Sequence, residues 1–382
     1  MERMQPRGPI RRFIRQSVLS AFILYAWSIR HLKFLHFTLP PNLRELTRAW
    51  DWRVTFLYVF SFGRRFYMDQ PCTMRDPPAW RPKVQTDPQY QFTEEDIRRF
   101  YEKGYIGPLT MFTPEEMKAF RPKIDAVLER PAAIYDMGES THSGLDVSGQ
   151  GRDRHLDCPE VWEMISHPAI VERLAQLLGP DLILWRSQVF CKNAGGAAVK
   201  WHQASTYMNE LLYKATLEPV DRNDLFQLTT WIAIDDANLE NGCMQFEIGT
   251  HRRMEVIKVA AGRNEQTLEA QYSFAREVDL SRVETVECRA GQFIIFTERC
   301  VHGSPANTSD RRCLGMAFRT LPPSVQVYRG QTEHGVSYFK QGQFSLDNWG
   351  AVQLRDEDRH HLNRMRTPAV AQEDKSAVAG AA

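Results

Sequence analysis

The sequence predicts an all-β core surrounded by peripheral α-helices. Five runs rich in branched and aromatic residues are separated by turn-forming residues, which is the pattern of short strands. Little helical periodicity interrupts these runs, and the clearest helix signals lie before them. The runs are DLILWRSQVFCK, LFQLTTWIAIDD, CMQFEIGT, QFIIFTER and CLGMAFRT.

Three regions follow from this pattern. Residues 1–90 are predicted to form a helical extension that closes in the proline-rich linker QPCTMRDPPAWRPKVQTDP. Such a cluster of prolines is typical of a boundary between domains. Residues 91–325 hold the β core. Residues 326–382 form a C-terminal extension whose polar, Ala-rich end is predicted to be disordered.

The N-terminal extension contains an unusual apolar run, SVLSAFILYAWSI, with basic residues on both sides. About 13 apolar residues are too few for the roughly 20 that span a bilayer, and no small-residue cleavage site follows. The favoured interpretation is a helix packed on the protein. A helix lying on a membrane surface and a true signal or anchor are the alternatives.

Two capped helices are predicted at the start of the core. Thr93 precedes three acidic residues, and Thr113 precedes Pro114 and two glutamates, so each threonine can cap a helix N-terminus. A further helix is predicted from about Pro159 to Leu178, where Gly179 and Pro180 end it.

The composition bounds the function. The formal net charge is only +1 in 382 residues, which gives no reason to expect nucleic acid as a partner and favours a small-molecule substrate. The seven cysteines are odd in number and form no CxxC pair, a pattern typical of reduced thiols. We therefore expect a cytoplasmic protein.

Two histidines at strand ends are candidate metal ligands. His202 lies in KWHQASTYMN and His302 lies in VHGSPANTS, a hundred positions later. Spacing alone does not distinguish a ligand from a surface or core histidine.

The sequence around these histidines resembles the phytanoyl-CoA dioxygenase superfamily of iron(II)- and 2-oxoglutarate-dependent oxygenases. FTEEDIRRFYEKGYI, WIAIDDANLENGCMQFEIGTHR and VHGSPANTS match its segments in order, as does RHLDCPEVWEMISHPAIVERLAQLLGPDLILWRSQVFCK. The resemblance implies a double-stranded β-helix, or jelly roll, and iron held by a His-x-Asp pair and a distal histidine. It makes His202 and His302 the ligands.

Ala204 stands where that superfamily has the carboxylate ligand. The same departure marks its aliphatic halogenases, those similar to the syringomycin-pathway type. An alanine opens a coordination position and leaves the iron one negative charge short, which chloride or bromide can supply. The resemblance therefore implies Fe(II), 2-oxoglutarate, O2 and a halide as the reactants at this site.

Four more residues match the halogenase pattern. Tyr207 and Asn209 are predicted to line the halide pocket with Ala204. Thr229 and Trp231 lie two residues apart on a strand, so they share a face that is predicted to meet 2-oxoglutarate. Plain packing is the alternative for each.

The resemblance implies that an arginine binds the far carboxylate of 2-oxoglutarate and lies eleven residues after the distal histidine, where this chain has Cys313. Arg319 shares a strand face with Cys313 and matches a second halogenase arginine, so it is the favoured substitute. Arg312 would reach the pocket only if a bulge shifted the strand register.

The leading hypothesis is an iron(II)/2-oxoglutarate-dependent halogenase acting on an unactivated carbon in natural-product biosynthesis. Its substrate would be a small molecule or an acyl or aminoacyl group, free or tethered to a carrier protein. Two alternatives remain open. One is a hydroxylase with a two-histidine iron site, and the other is a non-catalytic binding protein that keeps the dioxygenase fold.

Overall fold

The computed structural model describes most of the chain outside several loops and both ends. The described residues are 9–39, 52–60, 73–130, 151–203, 216–253, 257–259, 272–274, 277–328, 336–338, 342–344 and 348–368. Within them no helix is long and apolar enough to cross a membrane.

Six α-helices are numbered here in chain order. They are α1 (Pro9–Ser28), α2 (Trp52–Phe60), α3 (Glu94–Lys103), α4 (Pro114–Glu129), α5 (Pro159–Ile165) and α6 (Pro168–Leu178).

Sixteen strands follow the same convention. They are β1 (Tyr105–Thr110), β2 (Leu182–Lys192), β3 (Val199–His202), β4 (Leu217–Glu218), β5 (Leu228–Ala233), β6 (Met244–Glu247), β7 (Ile257–Val259), β8 (Tyr272–Phe274), β9 (Val283–Val286), β10 (Gln292–Phe296), β11 (Val301–Ser304), β12 (Cys313–Leu321), β13 (Gln326–Val327), β14 (Val336–Tyr338), β15 (Gly342–Phe344) and β16 (Val352–Arg355).

The chain divides into two compact units. The smaller unit comprises Met1–Pro71, Ser205–Ala215 and Glu255–Glu277. Its described elements are α1, α2, a 3-10 helix over Lys33–Thr38 and the β7–β8 pair. The larger unit comprises Cys72–Ala204, Thr216–Met254 and Val278–Ala382. It contains both large sheets.

Two antiparallel sheets form the core of the larger unit. The six-stranded sheet has the order β1-β10-β5-β12-β2-β16, and the four-stranded sheet has the order β3-β11-β6-β9. Tyr105 of the first sheet stacks on Phe246 of the second, with ring centroids 4.6 Å apart. Phe296 packs edge-on against the same ring. The predicted β core with peripheral helices is therefore confirmed, whereas the double-stranded β-helix remains a finer prediction.

Alternating side chains of the six-stranded sheet face either the helices or the second sheet. Leu314, Met316 and Phe318 of β12 pack into the large apolar core that the helices cover. Cys313 and Ala317 belong instead to the cluster that contains Phe246 of the other sheet. We call this second side, between the two sheets, the interior face.

The helix starts follow the predicted chemistry. The side chains of Thr93 and Thr113 each accept a hydrogen bond from the backbone N–H three residues on. The carboxylates of Asp96 and Glu116 in turn accept from the backbone N–H of the two threonines, which completes both capping boxes. These signals are local, so the sequence alone reveals them.

The predicted helix from Pro159 to Leu178 is in fact two helices, α5 and α6, and the prediction of one continuous helix is wrong. Pro168 has no N–H to donate and its ring disfavours a helical residue before it. His167 accordingly becomes extended and its Nδ1 accepts a hydrogen bond from the backbone of Ala169 at 3.2 Å.

The predicted C-terminal extension also adds to the core. β16 pairs antiparallel with β2 at the edge of the six-stranded sheet. Trp349, just before it, is buried and donates its indole N–H to the carbonyl of Trp185 at 3.1 Å.

Candidate iron and co-substrate site

The two candidate ligands lie side by side between the sheets. His202 ends β3 and His302 lies on the neighbouring β11, and the two residues are directly paired in the ladder. Their ring centroids are 4.3 Å apart. Phe296 packs edge-on against the ring of His302 at 4.9 Å between centroids, so one side of the pair is apolar.

Backbone carbonyls set the tautomer of both rings. The Nδ1 of His202 lies 2.8 Å from the carbonyl oxygen of Lys200, and the Nδ1 of His302 lies 2.7 Å from that of Cys300. A carbonyl only accepts, so each Nδ1 carries the proton and each Nε2 carries the lone pair that a metal requires.

Burial keeps His302 in the ligand form. Desolvation, with the adjacent His202 adding to it, lowers the pKa of His302 well below its usual value. The ring is therefore neutral at physiological pH, as a metal-binding imidazole must be. Both observations fit a metal-binding pair.

The residues that follow His202 in sequence lie outside the described residues. These are Ala204, Tyr207 and Asn209, and their predicted part in a halide pocket remains a prediction. Gln203 is described and is buried. Its Nε2 donates to the carbonyl oxygen of Arg299 at 2.5 Å, which anchors the end of β3 beside the pair.

Thr229, Trp231 and Arg319 share the interior face. Thr229 is paired with Arg319 across β5 and β12, and Trp231 is paired with Ala317. The indole of Trp231 covers Gly315, where an added Cβ would lie 2.5 Å from the ring. The structure therefore brings these three sequence-predicted residues onto one surface.

A buried carboxyl group, Glu298, joins this surface. Thr229 donates from Oγ1 to a carboxylate oxygen of Glu298 at 3.4 Å. Burial raises the pKa of Glu298 to about 7, although Arg319 and Arg299 favour its charged form. This residue was not expected from sequence, because nothing in FTERC distinguishes a buried acid from a surface one.

Arg319 lies beside a second guanidinium group and near the carboxyl group of Glu298. Burial, reinforced by the positive charge of neighbouring Arg186, lowers the pKa of Arg319 to about 10. Arg186 is its ladder partner on β2 and hydrogen-bonds the hydroxyl of Tyr328. Two guanidinium groups on one interior surface create a region suited to an anion.

The structure does not bring Arg312 to this surface. Its guanidinium lies 2.8 Å from Asp125 and 2.9 Å from Asp235, and both acids hold it away from the interior face. No bulge shifts β12 between Cys313 and Arg319, since the register breaks only after Arg319.

Lys192 is a further buried cation, which the sequence analysis did not predict. It is the ladder partner of Cys313, the position where an arginine was expected. Its Nζ donates to Ser304 Oγ at 2.5 Å and to the carbonyl oxygen of Pro305 at 2.6 Å. Burial lowers its pKa. Only the register of β2 with β12 shows that Lys192 lies opposite Cys313, so no local sequence signal could have identified it.

These features define a class of protein. A histidine pair between two antiparallel sheets, oriented by backbone carbonyls and flanked by buried cations, is an arrangement that non-haem iron enzymes use. Residues 100–313 match the family model described as phytanoyl-CoA dioxygenase (PhyH). This match covers more than half of the chain, and the protein belongs to the phytanoyl-CoA dioxygenase family.

Similar proteins cover different shares of the chain. Phytanoyl-CoA dioxygenase domain-containing protein 1 homolog of Caenorhabditis elegans is 31% identical over 239 residues, 60% of this chain and 68% of that protein. The Caenorhabditis briggsae homolog is 32% identical over 169 residues, 42% of this chain and 54% of that protein. The match thus spans about half the length of the second relative.

A solved structure extends the similarity to the fold. The structure titled CytC3 with Fe(II) and alpha-ketoglutarate is 27% identical, with a TM-score of 0.54. The match covers 72% of this chain and 93% of that chain. Fe(II) and 2-oxoglutarate are thus the ligands that a similar solved structure contains.

Proposed function

We propose that this protein is an iron(II)- and 2-oxoglutarate-dependent halogenase that transfers chlorine or bromine to an unactivated carbon. One observation carries the proposal: the histidine pair is oriented for a metal, but the chain has Ala204 where the carboxylate ligand is expected. Within the described part of the chain, no third His, Cys, Asp or Glu completes a metal-binding group.

The chain's own residues would supply an incomplete coordination shell. His202 and His302 would hold the iron through their Nε2 atoms and contribute no charge. A methyl group at position 204 occupies less space than a carboxylate and leaves one negative charge to be supplied. Bound iron, 2-oxoglutarate and O2 as the oxidant would supply the oxidising chemistry, and a halide at the open position would supply the atom to be transferred.

Two buried cations, Lys192 and Arg319, are candidates to bind the far carboxylate of 2-oxoglutarate. Cys313 and Arg319 are six residues apart on β12, so the two positions lie about 20 Å apart along the strand. Lys192 lies at the Cys313 end and contacts Ser304, which follows His302 by two residues, about 7 Å along the strand.

We propose that Lys192 and Ser304 bind this carboxylate, because Lys192 is the ladder partner of Cys313, where the arginine is expected, and Ser304 lies close to His302. Arg319, which the sequence favours, is the alternative. In that case Arg186 and Thr229 would complete the carboxylate site from the neighbouring strands.

Anaerobic titration tests the function without knowledge of the substrate. Adding Fe(II) and 2-oxoglutarate should produce the weak visible charge-transfer band of the chelate, and chloride should shift that band. His302→Ala should abolish the band. A silent titration would support the non-catalytic binding protein.

Two variants at one position separate a halogenase from a hydroxylase. Ala204→Asp should keep the chelate band and lose its response to chloride, whereas Ala204→Gly should keep both. If the Asp variant responds to chloride as the parent does, the halide does not bind at position 204 and the halogenase proposal is wrong.

A hydroxylase is the second candidate, favoured by the names of relatives. One of them, 2-aminoethylphosphonate dioxygenase of Uncultured bacterium HF130_AEPn_1, is 25% identical over 169 residues. A band that forms with iron and 2-oxoglutarate but never responds to chloride or bromide would support this candidate.

The substrate proposal follows the halogenase resemblance. We propose a cytoplasmic enzyme of natural-product biosynthesis that acts on a small molecule or on an acyl or aminoacyl group, free or tethered to a carrier protein. Intact-mass analysis of candidate carrier-bound substrates after turnover tests it, because halogenation changes the mass of the carrier. No change on any carrier substrate would favour a free substrate.

A further inference from the structure

The segment Pro9–Thr38, here called the N-terminal hairpin segment, exposes many large apolar side chains. It consists of α1 and a 3-10 helix over Lys33–Thr38. Most of the exposed large apolar residues in the described chain fall within it. They are Phe13, Ile14, Val18, Phe22, Tyr25, Leu32, Phe34 and Phe37.

α1 uses a different face for packing inside its own unit. Ile23 and Ala26 are buried, and Ala26 packs in a small cluster with Ile29 and Leu39. Val18 and Phe22 recur at a spacing of four residues and remain exposed on another face. A helix that is apolar on both faces needs a second cover beyond its own fold.

The charge of the segment indicates what kind of partner contacts its exposed apolar face. Residues 9–38 contain five Arg and Lys and no Asp or Glu, while the whole chain has a formal net charge of only +1. Lys33 is exposed beside Phe34, and the guanidinium of Arg30 lies 4.0 Å from the ring centre of Trp27. Basic and exposed aromatic residues in one short segment are typical of helices that bind anionic lipid surfaces.

Two other occupants fit less well. A second copy would bring five further positive charges against the same five, which opposes association. A protein partner would need pockets for protruding side chains, and Phe34 is 72% exposed. A fluid lipid surface accepts protruding aromatic side chains without a preformed pocket.

We propose that the N-terminal hairpin segment docks this protein on the surface of an anionic phospholipid membrane. Val18, Phe22 and Phe34 enter the apolar edge of the bilayer, and Arg30 and Lys33 remain among the headgroups. α1 lies along the surface and does not cross it. The proposal is independent of the iron site, since it uses none of the residues of the β core.

The test is sedimentation of the full-length protein with vesicles. One set contains phosphatidylcholine alone, and the other contains about 30% phosphatidylserine, enough for a negative surface potential. The protein should bind the anionic vesicles, bind the neutral ones at least about tenfold more weakly, and dissociate as salt rises.

A matched pair of variants assigns the binding surface. Phe22→Ser with Phe34→Ser removes side chains that are 48% and 72% exposed, and should weaken binding about tenfold or more. Leu239→Ser with Leu280→Ser removes side chains that are 52% and 74% exposed in the larger unit, and should leave binding unchanged.

A charge variant keeps the test decisive if the apolar variant is poorly folded. Arg11→Gln with Arg12→Gln removes two charges and should weaken binding to anionic vesicles while leaving the weak neutral-vesicle binding unchanged. Absence of vesicle binding by the parent protein would overturn the proposal, as would equal binding by a well-folded Phe22/Phe34 variant. Concentration-dependent self-association that the same variant abolishes would assign the surface to a second copy instead.

Discussion

Glu298 should make the stability of the ligand-free protein depend on pH. Its carboxyl group lies in the interior beside Thr229 and close to Arg319, and burial raises its pKa to about 7. Replacing Glu298 with Gln keeps the size and a hydrogen-bonding group but removes the titration. The comparison of Glu298→Gln with the parent therefore isolates this one group from every other titrating residue.

The sign follows from where the proton is bound. Between pH 4.5, the ordinary carboxyl value, and about 7, the folded protein holds a proton on Glu298 that the unfolded chain has released. The free energy of unfolding therefore falls as pH rises, by about 1.4 kcal/mol for each pH unit. The loss is complete above about pH 7 and amounts to about 3 kcal/mol.

Urea unfolding without iron and 2-oxoglutarate measures this loss. At pH 8 Glu298→Gln should be more stable than the parent by about 3 kcal/mol, and at pH 4.5 the two should be nearly equal. Glu240→Gln, on the exposed surface, is the control and should change nothing at either pH. A stability difference between Glu298→Gln and the parent that is the same at both pH values would refute the reasoning, since it would show that Glu298 does not titrate within the interior.

Three further perturbations test the interior face and the smaller unit. Lys192→Met should weaken 2-oxoglutarate binding by roughly 3 to 5 kcal/mol, because the carboxylate would lose a buried charged partner, and Arg319→Met should weaken it less. Calorimetry that gives the reverse order would assign the carboxylate to Arg319. Gly315→Ala should lower the free energy of unfolding by about 1 to 3 kcal/mol, because its Cβ would lie 2.5 Å from the ring of Trp231; an unchanged urea midpoint would show that the indole moves freely. A protein lacking residues 1–84 should still bind iron and 2-oxoglutarate in the anaerobic titration if it folds, and retained metal binding with lost 2-oxoglutarate binding would contradict this.

Much of the fold could be predicted because its signals are local. The capping boxes at Thr93 and Thr113 each depend on four consecutive residues, and the strand runs depend on side-chain type alone. The break at Pro168 was missed because apolar residues continue on both sides of it. β16 was missed because its place at the sheet edge depends on pairing with β2, far away in sequence.

The site residues could be placed together from sequence only where they lie on the same strand. Thr229 and Trp231 are two residues apart, so their common face follows from strand geometry. Lys192 and Cys313 are on different strands, and only the register of β2 with β12 shows that one faces the other. Glu298 differs from a surface glutamate only because it is buried, and its sequence neighbours do not show that burial. Long-range pairing therefore determines which charges meet, and the sequence alone does not specify it.

The charges of the interior face support the proposal that 2-oxoglutarate and a halide bind without the two charged residues that the resemblance leads us to expect. An aspartate at position 204 would contribute a negative charge, and an arginine at position 313 a positive one, so their joint absence leaves the net charge unchanged. Lys192 still provides a cation opposite position 313, while position 204 provides no anion. The interior is thus more positive than the two losses alone would make it, which is the charge balance that the proposed dicarboxylate and halide ligands would require.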